Sequence, residues 1–276
     1  MIGWGRNRAG TDEDFSYDVG MEVIALQSGS NGNCYYVESK DTSIVIDAGI
    51  SAKIAKERLA THDRNISDAH AVFITHDHSD HCRSLGAFNR KLGLPVYMTK
   101  RTAQAMKRYR QIGNLDPVHL FQAGQTVEVG SLSIHSIPTP HDAVDGVAYV
   151  VEDNKGHRVG ILTDLGHVFK GLKDVLSSLD GVVIESNYDE QMLDAGYYPE
   201  SLKRRIRGKG GHLSNVESAR LLHQSSSTRL QWACLCHLSE DNNNVETAIR
   251  IHQQWLGDDL PIFVAGRYQS TRLGSL

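Results

Sequence analysis

Three histidines and an aspartate, His76, His78, Asp80 and His81, fall within six consecutive residues. Imidazole nitrogen and carboxylate oxygen are the ligands that zinc and similar borderline metals accept. Histidine and aspartate are poor helix formers, so the run reads as a loop between a strand and a helix. There His76 and His78 can point to one side, while Asp80 and His81, a turn further on, reach a second position. A solvated polar loop would have no need for three titratable rings crowded together.

Further ligands stand at the ends of apolar strands. His141 follows an expected strand at 132–137, Asp164 ends one at 159–163, and His237 ends one at 231–236. Asp164, a bridging candidate, together with Asp80 favours two metals, and a two-metal site can clamp both the attacking and the leaving oxygen of an in-line displacement. A lone histidine at a strand end is ordinarily just a polar loop residue. His62, His70, His119, His157, His223 and His252 are read that way, and His135, inside a strand, as structural.

The elements that must position these residues are legible in outline. Strands are expected at 21–26, 34–38 and 43–47, the first two separated by the turn 28–33, rich in glycine, serine and asparagine. Ser51 is a plausible N-cap for a helix over 52–60. A short strand at 71–75 runs straight into the histidine cluster. A helix at 84–91, a strand at 95–98 and a basic helix at 102–110 follow, then a strand-rich stretch from 118 to 153. The rest alternates: strands at 158–163, 181–185, 231–236 and 261–264, helices at 172–179, 199–207, 215–224 and 244–255. Strands and helices interleaved in two similar halves predict two mixed sheets face to face with helices outside. The expected organisation is a flexible leader over 1–20 and a single domain over 21–276.

The 276 residues carry 40% hydrophobic and 22% charged residues, which excludes intrinsic disorder. No apolar stretch approaches the roughly 20 residues of a membrane helix, and the first twenty residues lack the apolar core of a signal peptide. A cytoplasmic protein with no membrane partner is expected, its four cysteines free; Cys234 and Cys236 alternate with apolar neighbours as buried strand residues do. The net charge of −4 gives no global sign of nucleic-acid binding. Two local basic clusters, Lys203, Arg204, Arg205, Arg207 and Lys209, and Lys100, Arg101, Lys107, Arg108 and Arg110, read either as solvated helix faces or as a phosphate-tracking surface.

The order His-x-His-x-Asp-His, then His141, Asp164 and His237, resembles the metallo-β-lactamase superfamily over nearly the whole chain after the leader. The resemblance implies an α/β fold, a four-layer αββα sandwich of two mixed β-sheets flanked by helices. Asp47, at the end of Ile44, Val45 and Ile46, matches the superfamily's first motif, where the aspartate supports the metal ligands rather than coordinating. The runs 27–34, 140–143, 211–215 and 236–243 look like the YycJ (WalJ)-type subfamily, regarded as 5′→3′ DNA exonucleases related to ribonuclease Z. His212 and His237, each in a His-Leu-Ser run, are similar to the ribonuclease Z pair in which the first histidine assists catalysis and the second binds metal. Asp164 and His237 stand too close in sequence for the large inserted domain of the β-CASP branch.

The resulting expectation is a dinuclear metal-dependent phosphodiesterase, a 5′→3′ DNA exonuclease using a metal-bridging hydroxide. Its metals would be two divalent ions, zinc or manganese, with iron a further option. His76, His78 and His141 would hold one, Asp80, His81 and His237 the other, with Asp164 between them. Asp80 would take the proton of the attacking water and His212 would serve the leaving oxygen. Ser28, Asn31 and Asn33, with backbone N–H groups of their turn, Asn187, and the cations Arg204, Arg205, Arg207 and Lys209 are the candidate contacts to a nucleic acid, DNA rather than RNA. A small-molecule hydrolase of the same fold (cyclic phosphodiesterase, thioesterase or lactonase) and a ribonuclease Z-like endoribonuclease are the alternatives.

Overall fold

The computed structural model describes residues 20–225 and 227–276; the expected leader, apart from Gly20, lies outside them. The first half runs β1 (Glu22–Gln27), β2 (Cys34–Ser39), β3 (Thr42–Ile46), α1 (Ala52–Ala60), β4 (Ala71–Phe73), α2 (Ser79–Cys82), α3 (Leu85–Leu92), β5 (Val96–Thr99), α4 (Lys100–Met106) and β6 (Val118–Phe121). The second half runs β7 (Thr126–Val129), β8 (Leu132–Pro138), β9 (Val147–Asp153), β10 (Arg158–Leu162), α5 (Leu172–Ser177), β11 (Gly181–Glu185), α6 (Glu190–Ala195), α7 (Glu200–Ile206) and α8 (Asn215–Ser225). It closes with β12 (Trp232–Cys236), α9 (Val245–Leu256), β13 (Ile262–Val264) and β14 (Thr271–Arg272).

Two seven-stranded mixed sheets result, in the orders β14-β1-β2-β3-β4-β5-β6 and β13-β12-β11-β10-β9-β8-β7. β3 to β6 pair in parallel, as do β10 to β13, and the remaining pairs are antiparallel. Alternation along each strand explains the layers. In β3, Ile44 and Ile46 face the other sheet while Val45 packs outward with Ala55 and Leu59 of α1. In β12, Cys234 and Cys236 enter the space between the sheets while Ala233 and Leu235 pack with Leu221 and Leu222 of α8. Strands buried on both faces read as continuous apolar runs, so their sequences show little polar alternation. Each fully buried Val, Leu or Ile contributes roughly 1.5–3 kcal/mol. The four-layer α/β/β/α arrangement is the one expected. All four cysteines are free and buried.

Local signals match in detail. The Ser51 hydroxyl accepts from the Ile54 N–H, capping α1 as its sequence predicts. The basic helix begins earlier than its apolar pattern suggested, at Lys100, because Thr99 caps it by accepting from the Thr102 N–H, and it ends at Met106 rather than at 110. The six-residue α6 and the two-residue β14 escaped the sequence reading, being too short to show a period. No described helix is long and apolar enough to cross a membrane.

Candidate metal centre

β3, β4, β8, β10, β11 and β12 all end at one edge of the sandwich, because each is parallel to its counterparts within its sheet. That edge collects Asp47, the 76–81 loop, His141, Asp164, Glu185 and His237. Asp47, Asp164 and His237 follow β3, β10 and β12 with φ of 65°, 53° and 54°. They are three of the five non-glycine residues with positive φ among the described residues. Such a backbone costs on the order of 1–3 kcal/mol and turns each side chain back over the sheet edge, a distribution that marks a functional site. Gly49 serves the same convergence: a Cβ there would lie 1.7 Å from the Asp80 carbonyl oxygen, so only glycine lets the loop after β3 lie against the histidine run.

Ligand atoms gather in overlapping groups, each within 4.8 Å: His76, His78 and His141; Asp80, His81 and His237; His76, His81 and Asp164. Asp164 stands between the first two groups. Its Oδ1 lies 3.6 Å from Nε2 of both His141 and His237, and its Oδ2 lies 3.2 Å from His81 Nε2. Asp80 Oδ2 is 3.5 Å from the Nε2 atoms of His81 and His237. All seven residues expected as ligands are therefore brought together.

The outer nitrogens of the His76, His81 and His141 rings are held by the protein. His76 Nδ1 donates to the Thr75 hydroxyl at 2.9 Å, and His141 Nδ1 to the Gly211 carbonyl at 2.9 Å. His81 Nδ1 donates to Asp47 at 2.6 Å, and Asp47 also accepts from the Thr75 N–H at 2.9 Å and hydroxyl at 3.0 Å. Asp47 thus sits behind His81, one layer away from the cluster. With Nδ1 engaged, Nε2 is the atom that faces inward. The Nε2 atoms of His76, His141 and His237 are buried with no hydrogen-bond partner among the described residues. Buried polar atoms are almost always satisfied, so three orphaned nitrogens converging on two carboxylates fit divalent cations.

The electrostatics agree. Burial opposes ionisation of Asp164, yet His237 and His81 hold its carboxyl well below the usual range, and burial of Asp80 is likewise overridden by His81 and His237. Burial also opposes charge on His81 and His237, but the surrounding aspartates raise both, His237 to about 8. His76 and His78 are pushed down by burial, reinforced by neighbouring rings. The aspartates thus favour positive charge around His81 and His237, as a bound cation would supply it.

His212 stands at the rim, its ring stacked 5.3 Å from that of His237 and tilted by 50° at 5.0 Å from that of His141. Its Nδ1 donates to Glu185 Oε1 at 2.5 Å, and Glu185 Oε2 accepts the Leu165 N–H at 3.0 Å. Sequence reasoning missed Glu185, which reads as the last residue of a buried strand. The available signal was a carboxylate closing an apolar strand, Gly181–Glu185, much as Asp164 follows another.

The expected substrate contacts divide. Ser28 and Asn33 are buried and committed to the protein. The Ser28 hydroxyl accepts from the His237 N–H at 2.7 Å, and Asn33 Nδ2 lies 3.0 Å from His81 Nε2 and donates to the Gly29 carbonyl. In the turn, the N–H groups of Ser28, Gly29, Gly32 and Asn33 are bonded to Gly266, Asn33, Gly29 and Asp80 respectively. Those four of the turn's donors are therefore not offered to a phosphate, and the turn braces His81 and His237. Asn31 holds Arg267 through its side chain at 3.1 Å. Asn187 donates to the His237 carbonyl at 2.8 Å. Of the cations, Arg205 makes a two-pronged pair with Asp142 at 2.7 and 3.0 Å and Arg207 pairs with Asp194, while Arg204 and Lys209 are exposed.

A family profile described as Beta-lactamase superfamily domain matches residues 42–233. The chain belongs to the metallo-β-lactamase superfamily. Within it, the chain is 36% identical over 234 residues to the exodeoxyribonuclease WalJ of Streptococcus pneumoniae, covering 84% of this chain and 86% of that protein. It is 35% identical over 232 residues to the exodeoxyribonuclease YycJ of Bacillus anthracis, covering 83% and 87%. The fold is shared with YhfI of Bacillus subtilis at a TM-score of 0.70 and 17% identity, over 92% of this chain and all of that one. It is shared also with zinc-bound PqqB of Methylobacterium extorquens at 0.71 and 16%, over 92% and 99%.

Proposed function

We propose that the chain is a two-metal DNA exonuclease acting in the 5′→3′ direction. The observation that carries the two-metal reading is the position of Asp164, whose two carboxylate oxygens face the His141 and His81 sides of the cluster at once. Its similarity to two exodeoxyribonucleases over more than four fifths of its length supports DNA as the polymer.

His76, His78 and His141 would hold one divalent ion and Asp80, His81 and His237 the other, zinc, manganese or iron all suiting this donor set. Bound there, the ions would supply Lewis acidity for water activation and offset the charge of the phosphodiester. The protein's own groups do the rest. Asp80, 3.5 Å from both His81 and His237, is the carboxylate placed to take a proton at the centre of the site. Glu185 keeps the proton of His212 on Nδ1 and orients the ring, leaving Nε2 to serve the departing oxygen. Exposed Arg204 and Lys209 offer charge to the backbone of an incoming strand.

The test is digestion of 5′- and 3′-labelled single- and double-stranded DNA and RNA with added zinc or manganese. Release of label from the 5′ end of DNA is expected. No cleavage of any polymer overturns the nuclease reading, and preferential cleavage of RNA overturns the choice of DNA.

A further inference from the structure

Asp77, in the middle of the histidine run, is 1% exposed and points away from the ligand cluster. Its Oδ1 accepts the Val144 N–H at 3.1 Å, and its Oδ2 pairs with Arg108 NH2 at 2.8 Å. Val144 lies three residues beyond His141, so one carboxylate ties the loop bearing His76 and His78 to the loop bearing His141. Arg108 comes from the turn after α4 and also donates toward the Asp77 carbonyl, at 3.4 Å. It is itself placed by Tyr109, whose hydroxyl accepts from it at 3.1 Å. α4 grips the second loop again through Thr102, whose hydroxyl donates to the Asp145 carbonyl at 3.5 Å.

We infer that Asp77 and Arg108 form a brace that sets the spacing of His76, His78 and His141, and so tunes one metal position of the pair without touching the other. The contacts are lopsided: none of them is made to Asp80 or His81, which follow on the helical turn α2, or to His237; His81 is supported by Asp47, and His237 by Ser28 and Asn187. A buried carboxylate shared between a backbone donor and one cation is expensive to leave half-satisfied. Removing Arg108 would therefore loosen Asp77 and both loops it joins. Arg108, one of the cations that the sequence offers as a phosphate contact, is on this view a positioning residue. The inference rests on the reading of the three histidines as metal ligands.

The experiment measures zinc binding to the full chain by titration calorimetry against a competing chelator, with the visible spectrum of the cobalt-substituted protein as a second readout. Arg108 is half-exposed, so Arg108→Gln leaves the core intact, and its far-UV circular dichroism should match wild type. Wild type should take up two equivalents. Arg108→Gln and Asp77→Asn should weaken one position roughly 10- to 100-fold and alter the cobalt spectrum, and Arg108→Lys should restore most of that affinity. In a His78→Ala background, which removes the braced position, Arg108→Gln should leave the remaining position unchanged. Equal weakening of both positions, or two equivalents bound with wild-type affinity by Arg108→Gln and Asp77→Asn alike, overturns the brace. Fewer than two equivalents in wild type overturns the two-metal reading and the brace with it.

Discussion

Glu185 Oε1 lies 2.5 Å from His212 Nδ1, and the same carboxylate accepts the N–H of Leu165, the residue after Asp164. One buried acid therefore couples the orientation of the rim histidine to the loop that carries the central aspartate. His212→Ala should lower turnover about 10²- to 10⁴-fold, the usual contribution of a positioned proton donor. Glu185→Gln should lower it less, about 10-fold or more. Both variants should still bind two metal equivalents by elemental analysis. Full turnover in His212→Ala would remove that histidine from the chemistry.

Metal content should separate the ligands by position. His78→Ala should lose one equivalent, since His78 belongs to a single group of ligand atoms. Asp164→Ala should weaken both, because its oxygens face both sides. Retention of two tightly held equivalents by Asp164→Ala would show that the aspartate does not lie between the metals.

Charge on the approach surface has its own signature. Arg204→Ala and Lys209→Ala should weaken DNA binding with little effect on turnover of bound substrate. Each should reduce the slope of log affinity against log salt by about one if it contacts one phosphate. Arg205→Ala should instead act on Asp142, which lies 3.4 Å from His141 Nε2. An unchanged salt slope in the Arg204 and Lys209 variants would move the strand to another face.

His252 gives a pH dependence away from the metal site. It is fully buried, with Nδ1 donating to the Ala248 carbonyl at 2.8 Å and Nε2 3.2 Å from the Ser218 hydroxyl, so it joins α9 to α8. Burial lowers it to about 4, against a weaker opposing effect of the Ala248 carbonyl. Between pH 4 and the ordinary histidine value of 6.5 the unfolded chain binds the extra proton, so stability rises with pH across that window and is level above it. The shift corresponds to about 3 kcal/mol. Urea denaturation at pH 4.5 and pH 7 should show a smaller difference for His252→Gln than for wild type. Equal differences would place the titration elsewhere.

Metal uptake should also weaken as pH falls below about 8. His237 is protonated below that value in the metal-free site, and its proton must leave before Nε2 can bind a cation. His81 is raised as well, so zinc affinity measured from pH 6 to 9 should rise throughout, and a flat profile would contradict it.

The candidate ligand set was readable because metal chemistry admits few residue types, and because His141, Asp164 and His237 each follow an apolar strand. The layered fold was readable for a similar reason: alternation and apolar runs are local properties of the chain. Partnerships across the fold were not. Glu185 looked like one more residue of a buried strand until β11 was laid beside β10, and Arg205 and Arg207 looked free until Asp142 and Asp194 were brought to them.

Sequence alone thus determined the candidate donors and the order of the strands that deliver them, whereas His252, read there as a polar loop residue, proves to be a buried link between α9 and α8. Tertiary structure alone decided which donors share a cluster, which nitrogen of each ring faces inward, and which polar groups are already taken. The reason is physical: hydrophobic periodicity and residue chemistry are written within a few neighbours. A hydrogen bond such as Ser28 to His237, spanning 209 positions, exists only once two sheets have packed and brought their strand ends to one edge.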